Sequence, residues 1–259
     1  MIIFFYSVFF VLGLIIGSFL NCVIYRLENE QSFLKGRSFC PHCKKELAWF
    51  DLVPILSFIF LKGKCRYCQQ KISWQYPLVE FLTGILFFVF SFYFLPYGWL
   101  QLFFLLIIVS FLVVIFMIDL RHLLILDSVI YPLILITLIY SLIFNLYFDS
   151  LNSFLLSLAS GFFAALPFLL IVLVSRGKWM GAGDIKLAFF IGLFLGYPAI
   201  LVALFLAFFI GAIIGLGLII IGKKELGSEV PFAPFLIFGT LTAFLFSSWI
   251  LSAYLKLFY

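Results

Sequence analysis

Residues Phe104 to Asp119 read FLLIIVSFLVVIFMID, an unbroken apolar run that stops at a carboxylate. Extended back to Trp99, it supplies the roughly 20 apolar residues a helix needs to cross a hydrocarbon core about 30 Å thick. The rest of the chain repeats the pattern. Of its 259 residues, 66% are hydrophobic and 10% charged, against about 25% charged in a soluble domain, and the mean hydropathy is +1.29. This composition implies an all-α polytopic membrane protein whose excess of Phe, Ile and Leu faces lipid.

Eight spans are expected, at about Ile2–Tyr25, Pro77–Leu95, Trp99–Ile118, Val129–Tyr147, Phe154–Val174, Ile185–Tyr197, Ala199–Ile221 and Phe232–Leu255. The first run lacks the basic start and small-residue cleavage site of a secretory leader and is too long for one, so it reads as a retained helix. The sixth is short and ends at Gly196-Tyr197-Pro198, where Pro forbids a continuous ladder. Gly192–Gly196 and Gly211–Gly215 have GxxxG spacing, which reads as close helix packing. No strong internal repeat is read.

Basic residues orient these spans. Nine of the 16 Lys and Arg residues lie between Arg26 and Lys71. With the N-terminus outside, that segment and the cytoplasmic helix ends also collect Arg121, Arg176, Lys178, Lys186, Lys223 and Lys224, which makes 15 of the 16. Only Lys256 falls on the other face. Cytoplasmic loops retain positive charge, and merging the sixth and seventh spans would put Lys223 and Lys224 on the wrong side. The net charge of +5 therefore requires neither an acidic substrate nor nucleic acid, and no nucleic-acid motif occurs.

Within the basic segment lie CPHC (Cys40, Cys43) and CRYC (Cys65, Cys68). Two C-x2-C knuckles at this separation can bring four thiolates round one tetrahedral Zn²⁺. Disulfides are the alternative, and a reducing cytoplasmic loop disfavours them. A Cys₄ site leaves no position open for water, so the metal is expected to hold the fold rather than do chemistry. His42 is not needed as a ligand, and Cys22 in the first helix reads as a small packing residue.

Four acidic residues, Glu80, Asp119, Asp127 and Asp184, stand at the cytoplasmic ends of apolar runs. Asp119 closes the third span and Asp184 opens the sixth in WMGAGDIKL (Trp179–Leu187), so the topology drawn from Lys and Arg puts both at one membrane depth. Carboxylates at such depth are costly and usually functional. A close pair shares a proton and can activate water as base while protonating a leaving amine as acid, the chemistry of aspartic proteases. Gly181 and Gly183 would leave room for an extended peptide beside Asp184. The plainer readings are a helix N-terminal carboxylate at Asp184 and a helix cap at Asp127, with Arg121 and His122 as interfacial anchors.

At this point the residues resemble a known family, the type IV prepilin peptidases, over nearly the whole chain. GSFLNCVIYRL (Gly17–Leu27) resembles its first-helix signature, Cys40 to Glu80 its cysteine domain, GAGDIKL its GxGD motif and VPFAPFL (Val230–Leu236) its last-helix entry. The resemblance implies a membrane aspartic protease with catalytic Asp119 and Asp184, supported by Gly181, Gly183, Lys186, Asp127 and Glu80. It favours Asp119 over Asp127, and Leu126 stands where the family often has Pro. It also implies substrates, the type IV prepilins or pseudopilins, cut at the cytoplasmic face of a bacterial membrane. Many members methylate the new N-terminus with S-adenosylmethionine, although no glycine-rich nucleotide loop is visible here.

The expected division is 1–25 as first helix, 26–76 as zinc-binding segment and 77–259 as a seven-helix peptidase domain. Three other functions compete with a peptidase that also methylates. One is a peptidase alone, acting on competence pseudopilins. Another is a proton-coupled transporter, whose acids should lie nearer the bilayer centre. The third is a zinc-bearing scaffold of a pilus machine, which would not need Asp119 and Asp184 to coincide in depth.

Overall fold

The computed structural model describes residues 2–32, 36–148, 150–222 and 230–258. Every expected span is a helix. In chain order they are α1 (Ile2–Glu28), a short α2 (Leu56–Phe60) in the polar segment, α3 (Gln75–Phe94), α4 (Trp99–His122), α5 (Asp127–Phe148), α6 (Leu151–Ser175), α7 (Ala182–Leu195), α8 (Ala199–Ile220) and α9 (Ala233–Phe258). No strand occurs among the described residues.

Seven of the described helices are long and apolar enough to cross a membrane. The exception among the expected spans is α7, whose 14 residues reach only about 21 Å. It ends because Gly196 takes a φ of 66°, a conformation that costs glycine little. It also begins three residues earlier than the sequence suggested, so Asp184 lies inside its first turn. The positions Lys223 and Lys224, used to orient the chain, lie outside the described residues.

The chain forms two compact units, Met1–Val114 and Ile115–Tyr259. In the first, α1 packs along α3 through glycines. A Cβ on Gly13 would meet the Thr83 carbonyl at 2.7 Å and Gly84 Cα at 2.8 Å, and one on Gly17 would meet Glu80 Cα at 2.7 Å. Gly13 and Gly17 thus form a GxxxG pair that the sequence reading passed over.

In the second unit α6 lies along α7 and α8 along α9. Of the glycines expected to pack, Gly192 presses on the Ser160 carbonyl and on Gly161 Cα, and Gly211 abuts Phe235. Gly196 ends its helix instead, and Gly215 faces open space. Overpacking a tight contact costs about 1–3 kcal/mol. Gly192→Ala should therefore destabilise the protein by that amount, read as a lowered unfolding temperature in detergent, whereas Gly215→Ala should be neutral or stabilising.

Candidate active site and metal centre

The second unit brings the two central acids together. Asp119 stands in the last turn of α4 and Asp184 in the first turn of α7, and both are buried. Their carboxyl groups are near enough for charge on one to act on the other. The intervening loop explains the approach. Leu123 takes a left-handed φ of 55° and its N–H returns to the Asp119 carbonyl at 3.0 Å, turning the chain so that Ile125 lands on Gly183.

There the structure corrects the expected role of one motif glycine, Gly183. A Cβ on Gly183 would lie 2.7 Å from Ile125 Cβ, so this glycine makes room for the α4–α5 loop rather than for a peptide. Gly181 has ordinary extended backbone and no crowding neighbour nearer than 3.8 Å, where it meets the Asp184 carboxyl. Its amide also acts on that carboxyl, so the helix N-terminal role considered for Asp184 is partly filled.

Asp119 has a partner that sequence reasoning missed. The Ala233 N–H, in the opening turn of α9, donates to Asp119 Oδ2 at 3.1 Å. The first amides of a helix have no partner within the helix and carry its positive dipole end. The VPFAPFL segment thus aims a helix N-terminus at this carboxylate. The signal for it was the conjunction of Pro231 and Pro234 with a helix start; what it pointed to was invisible in one dimension.

Asp127 lies in the same loop region but is directed elsewhere. Lys186 donates to its carboxylate, and the same ammonium sits 4.9 Å from the Tyr131 ring centre. The pair ties the start of α5 to the second turn of α7, close to Asp184, which is more than the helix cap expected of Asp127. Glu80, on α3 in the first unit, is also buried. Its carboxylate accepts the Ile55 N–H at 2.7 Å.

The four knuckle cysteines converge as expected. Their sulfur atoms all lie within 4.8 Å of one another, with Cys40 and Cys68 at 3.9 Å. Sulfurs bound at about 2.3 Å to a tetrahedral ion are roughly 3.8 Å apart, so the cluster fits a metal. Burial opposes ionisation of Cys65, but the Cys68 and Tyr67 amides and the Cys40 and Cys68 thiols outweigh it and bring its pKa down to about 7. Burial pushes the Cys40 thiol up.

The knuckles also reveal an internal repeat, contrary to the sequence reading. Cys40 N–H bonds to Lys45 O and Lys44 N–H to Cys40 O; Cys65 N–H bonds to Gln70 O and Gln69 N–H to Cys65 O. Leu47 N–H returns to Ser38 O as Ile72 N–H returns to Gly63 O. Lys44 and Gln69, in matching places, both take left-handed backbone. Few side chains are shared, so the repeat is carried by backbone and hides from a search for similar residues; only the cysteines and Trp49 and Trp74 mark it.

Comparison with known proteins agrees with this geometry. Residues 11–94 match the model of the Bacterial Peptidase A24 N-terminal domain, and residues 106–216 that of the Type IV leader peptidase family. A Bacillus subtilis protein named prepilin leader peptidase/N-methyltransferase is 34% identical over 97% of this chain and 98% of its own length. A protein of the same name from Aeromonas hydrophila is 32% identical over 90% of the chain and 87% of its own length. Another, from Vibrio cholerae, is 34% identical over 73% and 76%. No solved structure matches significantly. With its knuckles, its GAGD helix start and its acids inside the matched stretches, the chain belongs to the type IV leader peptidase family.

Proposed function

We propose that the protein is a prepilin peptidase in which Asp119 and Asp184 are the catalytic pair. The observation that supports this reading is that two buried carboxylates, from α4 and α7 of one unit, lie near enough for the charge of one to act on the other, one of them accepting the Ala233 amide. In this mechanism the ionised member of the pair takes a proton from water as the oxygen attacks the scissile carbonyl carbon. The protonated member gives its proton to the carbonyl oxygen; as the C–N bond then breaks, the proton taken from water passes to the departing amine and a hydroxyl of the diol returns a proton to the member that had donated. The Ala233 amide orients Asp119, and the Lys186–Asp127 pair anchors the helix start that carries Asp184. Purified protein incubated with a prepilin should yield the shortened pilin by mass spectrometry. An unshortened product from folded protein would sink the reading.

The substrates of this reading are type IV prepilins or pseudopilins, cut at the cytoplasmic face of a bacterial membrane, with the N-terminus of the enzyme outside. Reporters fused near Gly63 and Gly177 should then read cytoplasmic and those near Pro96 and Asn152 external; a cytoplasmic signal at Pro96 would reverse the orientation. Residues 77–259 would carry the peptidase, while Cys40, Cys43, Cys65 and Cys68 would hold a structural Zn²⁺ that closes the 26–76 segment. Methylation of the new N-terminus uses S-adenosylmethionine as methyl donor. The described residues offer no glycine-rich nucleotide loop for it, and hydrolysis of a peptide bond consumes no methyl donor.

The Gly183 contact yields a separate test of how the pair is assembled. Gly183→Ala should reduce cleavage by pushing α7 off Ile125, and adding Ile125→Ala should restore it. Failure of the second change to rescue, with both proteins folded, would return Gly183 to a role against substrate.

A further inference from the structure

The polar segment exposes a set of large apolar side chains that its cysteine cluster and its other contacts leave uncovered. On α2, Leu56, Ile59 and Phe60 occupy i, i+3 and i+4 and are 52%, 60% and 80% exposed, so one helical face points away from the protein. Phe58, on the opposite side, packs on Trp74 at 5.0 Å. Trp49 and Trp74, which close the two equivalent knuckles, are 78% and 75% exposed.

The depth of α2 is set by a bond already described. Its N-cap residue Ile55 donates to Glu80, the sixth residue of α3, about 8 Å along the axis from the helix start. The stretch Gln75–Tyr97 that contains it is one of the candidate spans, so α2 starts level with the first turns of a membrane helix. Ile55 takes a left-handed φ of 61°, uncommon for a β-branched residue, and the Glu80 bond holds it there. Trp74 precedes α3 directly, at the boundary where Trp is enriched.

Charge selects the occupant. Between Arg26 and Lys71 there are nine Lys and Arg against four Asp and Glu, namely Glu28, Glu30, Glu46 and Asp51; Arg26 is buried and donates to backbone carbonyls, which leaves eight basic residues to face headgroups. An apolar helical face flanked by basic residues is the pattern of segments that lie in a bilayer interface and favour anionic lipid.

We infer that α2, with Trp49 and Trp74, is an interfacial anchor seated among the acyl chains just below the headgroups of the leaflet at the basic ends of α1 and α3, and that the surrounding Lys and Arg bind anionic headgroups there. This anchor holds the metal segment flat against the membrane, independently of which reaction the aspartates perform.

The test uses the full chain in nanodiscs with Trp99, Trp179 and Trp249 changed to Phe, leaving Trp49 and Trp74 as reporters. Lipids brominated high on the acyl chain should quench their emission and unbrominated lipids should not, with a blue-shifted maximum in both. A companion protein lacking all five native Trp and carrying Phe60→Trp should report the α2 face in the same way, and covers the case in which the first variant fails to fold. Quenching should be stronger in phosphatidylglycerol discs than in phosphatidylcholine discs. Equal quenching in the two would overturn the headgroup preference. Emission at the position of water-exposed indole, without quenching, would overturn the anchor. So would a blue-shifted but unquenched signal, which would assign this face to a second copy or another protein.

Discussion

Asp119→Asn and Asp184→Asn should each reduce prepilin cleavage by at least about 10²–10⁴-fold, the contribution of a positioned acid or base, while the protein stays folded. Each side chain is buried in the second unit and each substitution keeps its size, so packing survives and only the exchangeable proton is lost. The pair should also give a bell-shaped pH profile. Activity fails in acid, when both carboxyls are protonated and none can take a proton from water. It fails again in base, when both are ionised and none can donate to the carbonyl oxygen. The two apparent pKa values belong to the pair rather than to either residue. Asp127→Asn is the control. Its carboxylate is 60% exposed in the ion pair with Lys186, and an exposed pair is worth about 0.2–1 kcal/mol, so cleavage should fall by no more than about fivefold. A dead Asp127 variant beside a nearly normal Asp119 variant would show that the wrong acid has been placed in the pair.

What sequence could show and what it could not divides along a physical line. Helices declared themselves because crossing a bilayer needs a long apolar run, and such a run is a local property. Asp119 and Asp184 were legible because charge at that depth is expensive, and the cysteines because ligand spacing is itself local. The partners of these groups were not legible. The amide of Ala233 is one among many backbone N–H groups until α9 folds against Asp119, and Ile125 is one more apolar residue until the loop turns at Leu123. Gly183 illustrates the difference: its importance could be read, but the neighbour that requires its missing Cβ could not. Gly13 and Gly17 were written in the sequence with the same spacing as the glycines that were noticed. Spacing alone could not rank them above Gly211 and Gly215, one of which faces open space.

Cys40→Ser and Cys65→Ser should each strip the metal and unfold the polar segment, leaving the membrane helices in place. The reason is the absence of any other core. Between residues 36 and 74 the only residues buried as a whole are Cys40 and Cys65 themselves, joined by the polar side chain of Asp51, while large side chains such as Trp49, Phe60 and Trp74 face outward. A segment so built cannot recover its ordering entropy by burying apolar surface. Binding of structural zinc to small peptides contributes on the order of 10–16 kcal/mol at neutral pH, and here that free energy would be folding free energy. The backbone repeat makes the prediction sharper. Cys40 and Cys65 hold equivalent places in the two knuckles, so their serine variants should fail alike, with metal content falling from one equivalent to none by elemental analysis. Limited proteolysis should then cut within the 36–74 segment while fragments containing α5 to α9 persist. Because the ligands must be thiolates, metal should also leave as the pH falls, protons competing for the sulfurs. Protein prepared without chelator that holds no metal and carries disulfides among these four cysteines would refute the account. The backbone bonds of the two knuckles would then be stabilised by covalent bridges instead of by an ion.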